Sequence, residues 1–425
     1  MHNERVSTRL SSRSTVQAGV SPWRRPVRPP SGALAWLLAS VLGVSVGAAS
    51  VLSPAIAGLI MFGAGVCVLF ALPLTVTLVA LAIAFVLPLT QLDLGVDTRL
   101  LAPALLVPLA VKGLKTRRTG PGHEIALRLV PLSALATASL IWSSDAIATG
   151  AAALALIAVV ACLVLVPAGT DSVAVLQALR WLVSALIIVS AVAALTPLGQ
   201  LAGRTRGIFA NPNALAILLL LSVPLLMRGR WRLLLPLAVV LAYSTASRAG
   251  MAAIVAGVIF YVLSARTSRL ITRVLAILFA AVALTAAILA LDPVVRSTGT
   301  FAQTSVFRNY NSREFEWAAA MQMWREHPLV GHGFGASKIE TGNSFLKLLV
   351  DLGLLGLVAA SPFLLLLVRR LVTSKNPLVV ASTATALVSS VFEAWLLTAG
   401  SAFFILFCLV IQTEEMEASD GRHHP

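Results

Sequence analysis

The chain has 425 residues, of which 58% are hydrophobic and only 12% charged, with a formal net charge of +15. A soluble domain carries about 25% charged residues, so lipid must be the solvent for most of this surface. That excludes a soluble enzyme. It also makes the basic excess a determinant of membrane orientation rather than a footprint for nucleic acid.

In lipid every backbone amide needs an internal partner, which leaves helices or a closed barrel. Barrel strands alternate apolar and polar residues. Here the apolar runs are continuous, as from Ala174 to Leu195 with only Gln177 and Arg180 interrupting. The fold expected is therefore an all-α, polytopic transmembrane helical bundle of about 12–14 spans. The three cysteines, Cys67, Cys162 and Cys408, all lie inside apolar runs and offer neither a disulfide framework nor metal-ligand spacing.

In chain order, residues 1–31 are polar, arginine-rich and proline-rich, and read as a disordered basic cytoplasmic tail. The first apolar run begins near Ala33 and reads as an uncleaved signal anchor. Residues 32–291 hold transmembrane helices, with apolar runs near 33–50, 53–71, 73–90, 99–113, 125–142, 147–166, 174–196, 213–227, 233–244, 249–264 and 273–291. A large extracytoplasmic loop follows at 292–345. Two or three C-terminal spans occupy 346–412, with runs at 346–368, 378–397 and 400–412. The acidic segment 413–425 reads as a second cytoplasmic tail. Lysine and arginine concentrate on alternate loops, those holding Lys115, Arg228, Arg266 and Arg369, which assigns these loops to the cytoplasm.

Three outward segments break that rule by carrying arginine. The first, Arg204-Thr-Arg206-Gly-Ile-Phe-Ala-Asn211-Pro212-Asn213, enters a span. Asn211 suits a helix N-cap and Pro212 the first helical position. Two guanidinium groups beside a helix N-terminus make an anion site. The second, Ser247-Arg248-Ala-Gly250, splits what would otherwise be one apolar run from Leu233 to Leu263. An arginine at the membrane face needs an anionic partner or must snorkel to the interface.

The third is the large loop itself. Asn311 and Glu314 have capping-box spacing, and Trp317, Met321 and Trp324 recur at helical spacing before His327-Pro328 stops the run. This predicts an amphipathic helix at the outer surface, its tryptophans at headgroup level or stacked on sugar rings, with Arg313 on the same helix. The glycine-rich stretch Gly331-His332-Gly333-Phe-Gly335 would let backbone amides approach a ligand. Thr341-Gly342-Asn343-Ser344 then enters a span that carries Asp351-Leu-Gly353. The spans are nearly free of charge, Glu393 being the clearest acid within one, close to a possible helix end. Chemistry at the outer interface is thus favoured over a pathway through the middle of the bundle. A transporter of a lipid-linked glycan or small anion is the alternative.

Taken in order and orientation, these elements resemble the O-antigen ligase and O-antigen polymerase superfamily of bacterial envelope enzymes. The resemblance covers roughly Arg204 to Leu357 and rests on the 204–213 element, Ser247-Arg248-x-Gly250, a loop with Arg313 and Trp317, His327-Pro-Leu-x-Gly331-x-Gly333, Asn343-Ser-Phe-Leu346 and Asp351-x-Gly353. It implies a metal-independent, cofactor-free glycosyltransferase of the cytoplasmic (inner) membrane, with its active side extracytoplasmic. The donor would be a polyprenyl-diphosphate-linked glycan and the acceptor a saccharide, lipid-linked or protein, among membrane lipid. The resemblance further implies that Arg206 and Arg248 hold the diphosphate, with Arg204 or Arg313 as a further clamp. Trp317, Trp324 and Asn343 would contact acceptor or glycan. Ligases of this superfamily carry a histidine just before the asparagine of the last motif, where this chain has Gly342. That departure points toward a polymerase or divergent transferase and leaves Glu340 or His332 as candidate bases.

The charge asymmetry predicts that Thr116 is cytoplasmic and Ser305 external. Single cysteines at these positions, in an otherwise cysteine-free protein in intact cells, should label oppositely. An impermeant thiol reagent should reach Ser305→Cys and spare Thr116→Cys.

Overall fold

The computed structural model describes residues 122–169, 172–227, 229–266, 313–339, 341–398 and 401–419, all within one compact unit, Phe62–Pro425. The expected tail, the first four apolar runs, the run at 273–291 and the loop residues 292–312 lie outside the described residues. So do Asn311 and Glu340.

The described residues form ten α-helices: α1 Gly122–Ala138, α2 Ala146–Gly169, α3 Ser172–Ala194, α4 Pro212–Leu226, α5 Leu235–Ser244, α6 Arg248–Arg266, α7 Arg313–Glu326, α8 Ser344–Thr373, α9 Pro377–Phe392 and α10 Ala402–Ser419. A two-residue antiparallel ribbon, β1 Gln200–Leu201 with β2 Arg204–Thr205, is the only sheet among them. The fold is an all-helical membrane bundle. Four stretches are long and apolar enough to cross a membrane, Glu124–Ile141, Val175–Ala194, Arg248–Ala265 and Ser344–Thr373, and three shorter apolar helices lie among them. Large apolar side chains such as Ile147, Leu195, Val358 and Leu365 point outward, as a lipid solvent permits.

Helix ends follow local chemistry. Asn211, Asn343 and Asn376 cap α4, α8 and α9, each side-chain oxygen accepting backbone N–H groups of the first turn. Proline follows the cap in α4 and α9, where its missing N–H costs nothing. The long apolar run does break at Ser244–Arg248. Ser247 Oγ accepts from Gly250 N at 3.2 Å and caps α6. Helix α4 and the first half of α10 are apolar on every face and deeply enclosed, with Leu215–Leu226 and Phe403–Glu414 buried throughout. Helices α6 and α9 approach through small residues, Gly257 meeting Ala381 and Thr385.

Helix α8 is broken at Gly353, whose φ of 62° and ψ of −158° are not helical. Two ladder bonds are replaced there by four bonds to the segment 328–333. Leu354 N donates to Pro328 O at 2.9 Å and Leu355 N to Leu329 O at 3.0 Å. In return His332 N donates to Val350 O at 3.0 Å and Gly333 N to Asp351 O at 2.9 Å. The glycine-rich turn is therefore a plug in a broken apolar helix.

A Cβ on Gly353 would collide with the Leu329 carbonyl. Gly353→Ala should lose about 1–3 kcal/mol or more, visible as a lower thermal midpoint in detergent. Gly229, at φ +60° but with open space around its Cβ position, is the control. Gly229→Ala should lose only the left-handed backbone cost of about 1–2 kcal/mol.

Candidate functional site

The 204–213 element folds back over the start of α4. Arg204 Nε donates to Thr245 O at 2.8 Å and its NH2 to Asn213 Oδ1 at 2.9 Å. One guanidinium thus ties the first arginine segment to the second, because Thr245 lies in the turn that delivers Arg248 to the start of α6. That turn carries Ala246 at a φ of 50°. Its hydroxyls are committed to structure: Thr245 Oγ1 donates to Ala242 O and Ser247 Oγ caps α6. Arg248 itself is exposed. Arg206 is half-buried and donates from Nε to Leu198 O at 3.1 Å.

Arg313, at the start of α7, reaches 79 residues along the chain. Its NH1 donates to Gly342 O at 2.6 Å and to Phe392 O, and its NH2 pairs with Glu393 Oε1 at 2.5 Å. Glu393 lies just beyond the end of α9, so the apolar helix stops before it. Ser344 Oγ fixes the Glu393 backbone, donating to its carbonyl at 2.7 Å and accepting from Leu396 N at 3.1 Å. Burial pushes the Glu393 carboxyl up to about 7, while Arg313 and, more weakly, Arg204 pull it down. Arg204, Arg313, Gly342, Ser344 and Glu393 therefore share one locality, built from four separated stretches of sequence.

Gly342 explains its own identity. It sits at φ +52°, and a Cβ there would strike Arg313 NH1, with Glu316 Oε2 3.1 Å away. The space that a side chain at position 342 would enter is filled by the Arg313 guanidinium, which holds Glu393, and flanked by Glu316. Asn343 is committed to the α8 cap, its Oδ1 accepting from Phe345 N and Leu346 N.

His332 lies elsewhere. Its ring bonds Met323 O at 3.0 Å and stacks edgewise on His327. Met323 is ten residues from Arg313 on α7, about 15 Å along the axis at 1.5 Å per residue. The glycine amides are occupied within the protein, Gly331 N by His327 O and Gly335 N by Asp351 Oδ2. Trp317 and Trp324 pack with Met321 on Leu346 and Val350 of α8, and Trp324 Nε1 donates to Pro328 O. These tryptophans dock α7 onto the first half of α8.

Asp351 anchors the turn below the site. It accepts from Ser337 Oγ at 2.6 Å, Gly335 N at 3.0 Å and Lys347 Nζ at 3.1 Å. Glu393 and Ser344 were not legible as site residues; the one sequence signal for Glu393 was a lone acid near the end of an apolar run.

Breaking a buried pair costs more than replacing it. Lys347→Met should destabilise by about 3–5 kcal/mol because it strands the Asp351 carboxylate. Adding Asp351→Asn should recover part of that loss, since the amide oxygen can still accept from Gly335 N while its NH2 donates to Ser337 Oγ. Thermal unfolding of the two variants in detergent, compared with Asp351→Asn alone, measures the coupling.

The O-antigen ligase family model (Wzy_C) matches residues 233–361. No curated protein matches the chain. The matched stretch holds Arg248, Arg313, Gly342, Asn343 and the broken helix at Gly353, while Arg204 and Glu393 fall outside it and complete the same locality. Within this membrane protein, the stretch 233–361 is thus similar to the O-antigen ligase family.

Proposed function

We propose that this protein transfers or polymerises saccharides from a polyprenyl-diphosphate carrier on the outer face of the cytoplasmic membrane. The observation that carries the reading is the convergence of arginine-bearing segments at one end of the bundle. Arg204 bridges its own turn to that of Arg248 through Thr245, and Arg204 and Arg313 both act on Glu393. A diphosphate leaving group accumulates negative charge as the glycosidic bond breaks, and fixed guanidinium groups in a poorly solvated setting stabilise that charge without reorganising.

The arginines divide the work. Arg204 and Arg313 are held by carbonyl, amide and carboxylate partners and shape the site. Arg248 is exposed at the first turn of α6, where the positive end of the helix adds to its charge. Arg206 has no ion-pair partner among the described residues. Arg206 and Arg248 are therefore the residues assigned to the diphosphate. Trp317 and Trp324 support the acceptor side indirectly by docking α7. The alternative of a transporter gains nothing from the break in α8, because the chain's own segment 328–333 fills it.

Arg206→Ala and Arg248→Ala should each abolish glycan transfer by the purified protein from a defined polyprenyl-diphosphate glycan, while accumulation and thermal stability stay near wild type. Lysine at either position should rescue poorly, since it keeps the charge but lacks the bidentate fork. Near-normal transfer by both alanine variants would remove the diphosphate assignment.

A further inference from the structure

Glycosyl transfer to a hydroxyl requires that hydroxyl to lose a proton, and the site has carboxylates rather than an imidazole in place to take it. We propose that Glu393 is the general base that activates the acceptor, with Arg313 as the residue that positions it. This rests on the glycosyl-transfer reading given above.

Four observations converge. Glu393 Oε1 is held by Arg313 NH2 at 2.5 Å, while among the described residues Oε2 has no hydrogen-bond partner. The side chain is 13% exposed, so it is sheltered yet reachable. The backbone is clamped by Ser344 at the very entry to α8, next to Gly342 and Asn343. Finally, the same guanidinium that holds Glu393 fills the side-chain space at Gly342, which ties Glu393 to that position through Arg313.

The charged groups facing Glu393 are Arg313 and Glu316 from α7 and Arg204 from β2. Burial and Glu316 favour the protonated form; the two arginines favour the carboxylate. The outcome, about 7, is suited to accepting a proton near neutral pH. Glu316 lies at the same space but is tied by no hydrogen bond or ion pair among the described residues, whereas Glu393 is fixed at side chain and backbone.

The step balances. The acceptor hydroxyl gives its proton to Glu393 Oε2 as its oxygen forms the new bond to the anomeric carbon. The bond from that carbon to the diphosphate oxygen breaks, and its electron pair leaves with the polyprenyl diphosphate. The arginines carry the charge on the leaving group, and the carboxylic acid later returns its proton to water.

The test uses the full-length purified protein with a defined polyprenyl-diphosphate glycan and acceptor, over a pH series. In wild type, kcat/KM should fall as pH drops through about 7, because protonation removes the base. Glu393→Gln keeps a hydrogen-bonding partner for Arg313. It should lower kcat by roughly 10²–10⁴-fold, leave the donor KM unchanged and abolish the acid limb. Glu393→Asp should keep partial turnover with that limb retained. Wild-type turnover and pH profile in Glu393→Gln would overturn the assignment. So would a loss shared between donor KM and thermal midpoint with the acid limb intact, which would make the pair structural only. If wild type releases no polyprenyl diphosphate, the transfer reading itself falls and takes this assignment with it.

Discussion

Everything at the site end of this bundle depends on how one apolar helix is interrupted. An unsatisfied backbone group in lipid costs several kcal/mol, so a helix such as α8 cannot simply stop being helical at Gly353. It does so because Pro328, Leu329, His332 and Gly333 supply the bonds that the ladder gives up. That exchange fixes the 327–337 turn, and the turn fixes what surrounds it. Val330 O receives the Trp142 indole, Ser139 Oγ receives Phe334 N, and Asp351 gathers Gly335, Ser337 and Lys347. The end of α1, the start of α2 and the break in α8 are thereby tied through a short stretch of irregular chain.

Above this anchored floor, α7 lies on the first half of α8 through Trp317, Met321 and Trp324. The placement aims Arg313 away from solvent and into the junction between the cap of α8 and the end of α9. A single guanidinium there satisfies two carbonyls and a carboxylate contributed by distant parts of the chain. Such a pair is expensive to bury and is weak evidence of stability. Its value lies in geometry, since it holds an acidic group in a fixed direction beside an arginine-lined surface.

Much of the helical framework was legible in the sequence, because hydrophobic run length and asparagine-proline caps are local signals. The run from 174 to 196 became α3, the run from 213 to 227 became α4 behind Asn211, and the interruption at Ser244–Arg248 separated α5 from α6. The site was less legible for a physical reason. Arg313 and Glu393 are 80 residues apart, and nothing in either neighbourhood announces the other. The glycines at 331, 333 and 335 pointed to a ligand loop by composition, yet their amides are spent on the broken helix and its surroundings. His332 looked like a base by residue type, but its ring serves the far end of α7.

At the opposite end of α8, Arg370 is buried and reaches Glu415 at 2.5 Å, while Arg180 faces Glu414 at 3.6 Å and Asn376 bonds the Glu414 carbonyl. All three acceptors belong to α10, whose residues Phe403–Glu414 fill the middle of the bundle. Helices made earlier therefore have no centre to close around until this one leaves the ribosome and enters the membrane. Until then Arg370 has Glu124 of α1, at 4.0 Å, but not the closer Glu415. Assembly of this bundle is in that sense timed by a helix that is threaded in after its neighbours.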